Sequence, residues 1–235
     1  MKKMILSAVM LVFAASGYAQ ETGAAGAGER NEWLPTFEAV AVDADLDVKF
    51  VRVPDTEAPK IVYDTKGSYT TKFRAEVKDK TLRISEKPDS RRPDRTEVTV
   101  YYNALRAVSL SGAAATFEGT LDAAVLDVTV NRKASLTAKL DVKDLKMEQT
   151  GYSTANLSGS VRYLTLYVST GKVAASDLEV MSAEVNAQSK AEVSLWITDR
   201  FVGKTTTNAR ISYKGDPKIV RGGAKFMGGE INRVE

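Results

Sequence analysis

Along the second half of this chain one pattern returns with a period of about 19 residues. Val108-x-Leu110, Val128-x-Val130, Met147-x-Gln149, Leu166-x-Val168, Val185-x-Ala187 and Lys204-x-Thr206 stand in a column, their numbers advancing by 20, 19, 19, 19 and 19. Two places ahead of the later pairs are Leu126, Leu145, Leu164, Ala183 and Val202, again 19 apart. Small or polar residues follow each pair: Ser111-Gly112, Asn131-Arg132, Thr150-Gly151, Ser169-Thr170-Gly171, Gln188-Ser189 and Thr207-Asn208. A second apolar run comes next, as in Leu136/Ala138/Leu140 or Val193/Leu195/Ile197, before turn residues close the unit.

One such unit cannot bury its own apolar side chains. Stacking successive units at the interstrand spacing of about 4.8 Å lays equivalent positions over one another and buries them together. A meander of hairpins would need no such constant period. The repeat therefore predicts a parallel β-solenoid over residues 105–235, with coils of about 19 residues, six of them rising roughly 24 Å. Lys204 and Thr206 interrupt the apolar column at the last coil, where a solenoid end needs polarity. Upstream, "FEAVAVDADLDVKFVRV" (37–53), "TLRISEK" (81–87) and "TEVTVYY" (96–102) alternate apolar and polar residues at period two, the mark of half-buried strands. Residues 33–104 thus read as an N-terminal β region, packed on the solenoid or continuous with it, and 33–235 as one all-β unit. No window reads as a long amphipathic helix.

The first residues have a different texture. "MKKMILSAVMLVFAASGYAQ" carries Lys2 and Lys3, an apolar run from Met4 to Ala15, and Gly17 and Ala19 at the positions of a leader-peptidase site. This predicts a signal peptide over 1–19 and export, to the periplasm or the cell surface. "QETGAAGAGERNE" (20–32) reads as a flexible tether. No stretch is long and apolar enough for a transmembrane helix. Cysteine is absent, so neither a lipid-modified cysteine nor a disulfide is available. Losing Lys2 and Lys3 would leave 31 basic residues against 30 acidic, a balance that argues against nucleic acid as partner. Histidine is absent too, which removes Ser-His-Asp catalysis and His-ligated zinc.

Several stretches carry a family resemblance: "FEAVAVDADLDVKFVR", "VTVYYNALRAVSLSGAA", "VSTGKVAASDLEV" and "ARISYKGDPKIVRGGAKFMGGEI". From about Phe37 to Val234 the chain resembles an exported Bacteroidetes domain of unknown function, the putative auto-transporter adhesin, head GIN domain. The resemblance implies a β-helical fold and a surface or periplasmic role in adhesion. In that family the strand-end Ser-Gly recurs from coil to coil. Here Ser111-Gly112 keeps it, while Asn131-Arg132, Gln188-Ser189 and Thr207-Asn208 replace it, which weakens any claim that the Ser-Gly is itself functional.

Short matches to catalytic motifs read better as structure. Ser169-Thr170-Gly171-Lys172 fits S-x-x-K but falls at a repeat corner instead of a helix start, and Lys204-Thr205-Thr206 lacks the glycine of the partner K-T-G. Gly151-Tyr152-Ser153-Thr154-Ala155 approximates a nucleophile elbow without its last glycine, its helix or a histidine. Gly203-Lys204-Thr205 ends like a P-loop, yet Thr198 stands where the first glycine belongs. Asp43, Asp45 and Asp47 begin like a calcium loop, but Val48 and Pro54 occupy its glycine and glutamate positions. No catalytic residue, cofactor or metal site is expected. Arg91, Arg92 and Arg95 belong to a solvated loop, with a polyanion such as an acidic glycan as the sharper alternative. Tyr101, Tyr167 and Trp196 each sit between inward-facing residues and should point outward, where flat rings suit sugars or a protein partner.

The functional expectation is a non-enzymatic, exported solenoid that acts by surface contact, as an adhesin or envelope scaffold. Its partner would be a protein or glycan ligand, or a second copy meeting it through a flat face or an open edge. The alternatives are a polysaccharide-active β-helix enzyme, lyase or hydrolase, and a glycan-binding module. An enzyme requires charged side chains gathered in one groove, for instance Asp177 or Glu179 near Lys172.

Overall fold

The computed structural model describes residues 29–66, 72–87 and 94–234. The expected leader, residues 20–28 of the expected tether, and Arg91 and Arg92 lie outside the described residues. The chain forms β1 (Glu29–Trp33), β2 (Ala39–Asp43), β3 (Leu46–Arg52), β4 (Lys60–Asp64), β5 (Phe73–Lys78), β6 (Thr81–Glu86), β7 (Thr96–Tyr102) and β8 (Ala107–Ser111). Longer strands follow: β9 (Ala114–Asn131), β10 (Ser135–Gln149), β11 (Thr154–Ser169), β12 (Lys172–Gln188) and β13 (Glu192–Thr206). It ends with β14 (Arg210–Lys214), β15 (Ile219–Phe226) and β16 (Glu230–Arg233). Because β1 begins at Glu29, the last residues of the expected tether are in fact strand, paired antiparallel with β4.

Strands β9 to β13 stack parallel and in register, one coil each, as the repeating column requires. Each coil has a front, a lateral and a back segment. The turn from front to lateral coincides with a register slip, as between Thr137 and Lys139 or Asn156 and Ser158. The turn from lateral to back comes where two consecutive exposed residues break the alternation: Ala124-Val125, Lys143-Asp144 and Arg162-Tyr163. The front sheet runs β1-β4-β7-β3-β9-β10-β11-β12-β13-β14-β16. The back sheet runs from β5 through β6, β2 and β8 to β9–β13 and β15.

Inside, Val108, Val128, Met147, Leu166 and Val185 form one ladder and Leu126, Leu145, Leu164 and Ala183 another, all buried. Each large side chain taken out of water contributes roughly 1.5–3 kcal/mol, so the column is the main source of stability. The last coil departs from expectation. Ala183 pairs with Phe201 and Val185 with Gly203, so the numbering advances by 18 instead of 19. The cause is that β13 cuts its first bend short, between Leu195 and Trp196, and regains only part of that length after Ile197. The inward positions are Phe201, Gly203 and Thr205, while Lys204 points out. Lys204 and Thr206 therefore do not cap the column. Gly203 leaves room for the Phe201 ring, whose Cζ would lie 2.7 Å from an added Cβ.

The N-terminal strands extend the same two sheets, but not in chain order. β2 lies between β6 and β8, and β3 between β7 and β9. The chain thus lays down its second coil first, returns to build the coil below it from β6 and β7, and then passes over it to begin β8. Phe50 stacks on Phe117 with centroids 4.5 Å apart, and Tyr102 meets both rings edge-on at 6.4 and 6.0 Å. That cluster joins the early coils to the regular ones.

Candidate functional site

The corners between back and front are the positions read from the sequence. Gly112 has φ of 83°, and equivalent corners place Arg132, Tyr152, Thr170, Ser189 and Thr207 at φ of 52–59°. Two catalytic-looking motifs fall here. Thr170 Oγ1 donates to the Ser169 carbonyl at 2.7 Å, and Lys172 Nζ lies 4.0 Å from Glu192. Ser153 is fully buried, its hydroxyl within hydrogen-bond distance of the Thr150 and Val130 carbonyls at 2.7 and 3.1 Å. Beside it Gln149 occupies an inward place between Val130 and Val168 and donates from Nε2 to the Ser153 and Lys172 carbonyls at 2.7 and 3.0 Å. These groups brace a corner.

On the outer front face and along the edges beside it, charges meet in pairs. Arg95 bridges Asp45 and Asp47 at 2.7 and 3.1 Å, and Arg132 holds Asp43 at 3.1 Å, so the aspartate triplet is matched by guanidinium groups. Lys49 pairs with Glu118, Arg52 with Asp122 and Arg210 with Glu230. Glu38, beside Lys80, is held below the usual carboxylate range, first by the hydrogen bond and charge of that lysine and also by the charge of Arg106.

The three outward aromatics are half-buried and do not converge. Tyr101 lies on the front sheet in β7 and Trp196 at the front-to-lateral bend of β13, six strands away or roughly 29 Å. Tyr167 is on the back, opposite Glu148 and Asn186. Each ring has a partner in its own chain. Lys60 Nζ stands 4.6 Å from the Tyr101 centroid, Lys214 Nζ is 5.1 Å from that of Trp196, and Gln188 Nε2 donates to the Tyr167 hydroxyl. Lys172 is at the start of a front strand, whereas Asp177 and Glu179 pair with lateral residues Ser158 and Ser160. The expected gathering around Lys172 does not occur.

Motif matching missed the lateral face. Asp141, Lys143, Ser160, Arg162, Glu179 and Met181 line an open depression there. Its signal was present in the spacing, since Lys143 and Arg162 stand one repeat apart, as do Asp141 and Ser160, and Ser160 and Glu179. Among the described residues no group of three potential metal-ligating side chains is found, and no helix is long and apolar enough to cross a membrane, which says nothing about a β-barrel.

A parallel coil stack with ladders of side chains on three faces defines a β-solenoid. The chain belongs to the family described as "Putative auto-transporter adhesin, head GIN domain", whose model matches residues 36–217. A putative adhesin from Bacteroides fragilis shares its fold with a TM-score of 0.79 at 18% identity, over 88% of this chain and 96% of that one. A putative adhesin from Parabacteroides merdae gives 0.65 at 18%, over 88% and 95%. A putative lipid binding protein from Parabacteroides distasonis gives 0.63 at 16%, over 89% and 98%. No curated protein matches the chain.

Proposed function

We propose that this protein is exported and acts by surface contact, as a rigid non-enzymatic adhesin. The observation that carries this reading is the disposition of charge on the outer front face. Acids and bases neutralise one another along the stack instead of converging on a closed pocket. A parallel ladder sets side chains about 4.8 Å apart along the axis on a preorganised backbone, so binding orders side chains but no backbone. Family membership supports the same reading, and the basic–apolar–small order of residues 1–19 supports export. The rings of Tyr101, Tyr167 and Trp196 are engaged within the chain, which argues for a contact surface elsewhere.

The test pairs retention with turnover. The chain from Gln20 onward, coupled to beads, should be retained on cells or on protein- and glycan-coated surfaces. It should release no reducing or unsaturated ends from neutral and acidic polysaccharides. Release of such ends would overturn the contact reading in favour of the enzyme. N-terminal sequencing of the fractionated native protein should begin at Gln20.

A further inference from the structure

The lateral segment of β10 reads Lys139-Leu140-Asp141-Val142-Lys143-Asp144, with Leu140 and Val142 buried and the four charges exposed. None of the four has an ion-pair partner among the described residues, and Asp141 accepts only a hydrogen bond from Ser160 at 3.2 Å. That sets this segment apart from the front sheet, where Lys49, Arg95 and Arg210 each meet a carboxylate. Along the strand the order is plus, minus, plus, minus. Reversed against itself about Val142, such an order sets Asp141 opposite Lys143 and Lys143 opposite Asp141.

We propose that the lateral face is a self-recognition surface, at which two copies pack face to face about a two-fold axis parallel to the solenoid. This rests on the contact reading and names the partner as a second copy of this chain. With the axis between the rows of Asp141 and Lys143, Asp141 meets Lys143 of the second copy, while Lys139 and Asp144 flank that contact at the two bends, one residue out of register with each other. Symmetry makes each contact twice. One coil on, Arg162 of the second copy comes to lie over Ser160, the floor of the depression, flanked by Asp141 and Glu179. Each of those carboxylates stands one strand, about 4.8 Å, to either side.

Apolar side chains add to the match. Val125, Tyr163 and Met181 are 53%, 49% and 37% exposed and share this face, a composition in which aromatic, Met and Arg side chains mark contact surfaces. A two-fold across the solenoid axis would instead set Asp141 against Asp141 and Lys143 against Lys143. A polyanion would meet Asp141 and Glu179, and a polycation Lys143 and Arg162. A second copy satisfies both signs at once.

Four coils by six residues cover roughly 400 Å² per copy, below a standard interface. Association should therefore be weak and should weaken further with salt. The experiment is sedimentation velocity on the chain from Gln20 onward, from about 10 µM to 1 mM, with circular dichroism to confirm that each variant folds. Asp141→Lys and Lys143→Glu should each weaken dimerisation at least about tenfold by setting like charges together. The double variant D141K/K143E should return to within about threefold of the parent. A parent that stays monomeric at 1 mM overturns the proposal, as does a dimer indifferent to the single reversals or not rescued by the double exchange. A monomeric parent still retained on cells or glycans would overturn self-recognition and leave the contact reading intact. Release of polysaccharide ends would sink the contact reading whatever the oligomeric state.

Discussion

Tyr102 shows how one residue reports on the join between early and regular coils. Its ring is buried against Phe50 and Phe117, and its hydroxyl has no hydrogen-bond partner. Burial pushes its pKa up to about 12, partly opposed by Arg52. The folded value lies above the unfolded one, near 10, so this contribution is intact below pH 10 and is lost as the pH rises toward 12. By pH 11 the native chain should have lost roughly 1 kcal/mol relative to Tyr102→Phe. At pH 7 the variant should be as stable or more so, because no hydrogen bond is broken. Urea titrations of both proteins at pH 7 and pH 11 measure the difference. Gly171 makes the opposite case: an added Cβ would lie 2.6 Å from Gln149 Nε2 and 2.7 Å from the Ser153 carbonyl. Gly171→Ala should cost about 2–3 kcal/mol through the broken corner, read as a lower urea midpoint at unchanged slope.

Elements differ in how openly the sequence announced them. The regular coils were legible because inward positions tolerate little but apolar residues, and because every corner must reverse the chain at the same place. The last coil was not: its shortened bend after Leu195 moved Phe201 and Gly203 into the column in place of Val202 and Lys204. Such a change of bend leaves no signature in apolar periodicity. The early coils were legible as strands but not as neighbours, since β2 pairs with partners some 40 to 70 residues away in a spatial order that no local pattern encodes. Of the contact surface, single outward rings were legible, whereas the lateral charges become a face only once the coils are stacked. Glu29 to Glu32 read as tether because they carry no apolar side chain, and the strand they form with Trp33 is exposed throughout. It covers the edge of β4, and Glu32 accepts a hydrogen bond from the Tyr63 hydroxyl at 2.6 Å. Starting the chain at Leu34 should cost about 1–2 kcal/mol and open an edge strand to aggregation, seen as concentration-dependent light scattering.

For the whole molecule the repeat makes a quantitative demand. Removing residues 136–154 joins Ser135 to Ala155, which then takes the place of its register partner Leu136. A shorter solenoid with strand-rich circular dichroism and cooperative unfolding should remain. Removing about half that length from the same place should not leave one, because the inward ladder would then fall out of register with its neighbours. The two ends of the front sheet carry a further consequence. β1 and β16 lie at its opposite edges, so a chain held at one terminus and pulled at the other is loaded along the stack, across the hydrogen bonds of its last strand. Those bonds would give way one after another, and each surrendered coil would release roughly 60 Å of slack. Single-molecule extension should therefore show a series of small, evenly spaced yields instead of one large rupture. A protein so built would absorb tension by lengthening before its grip on a partner had to fail.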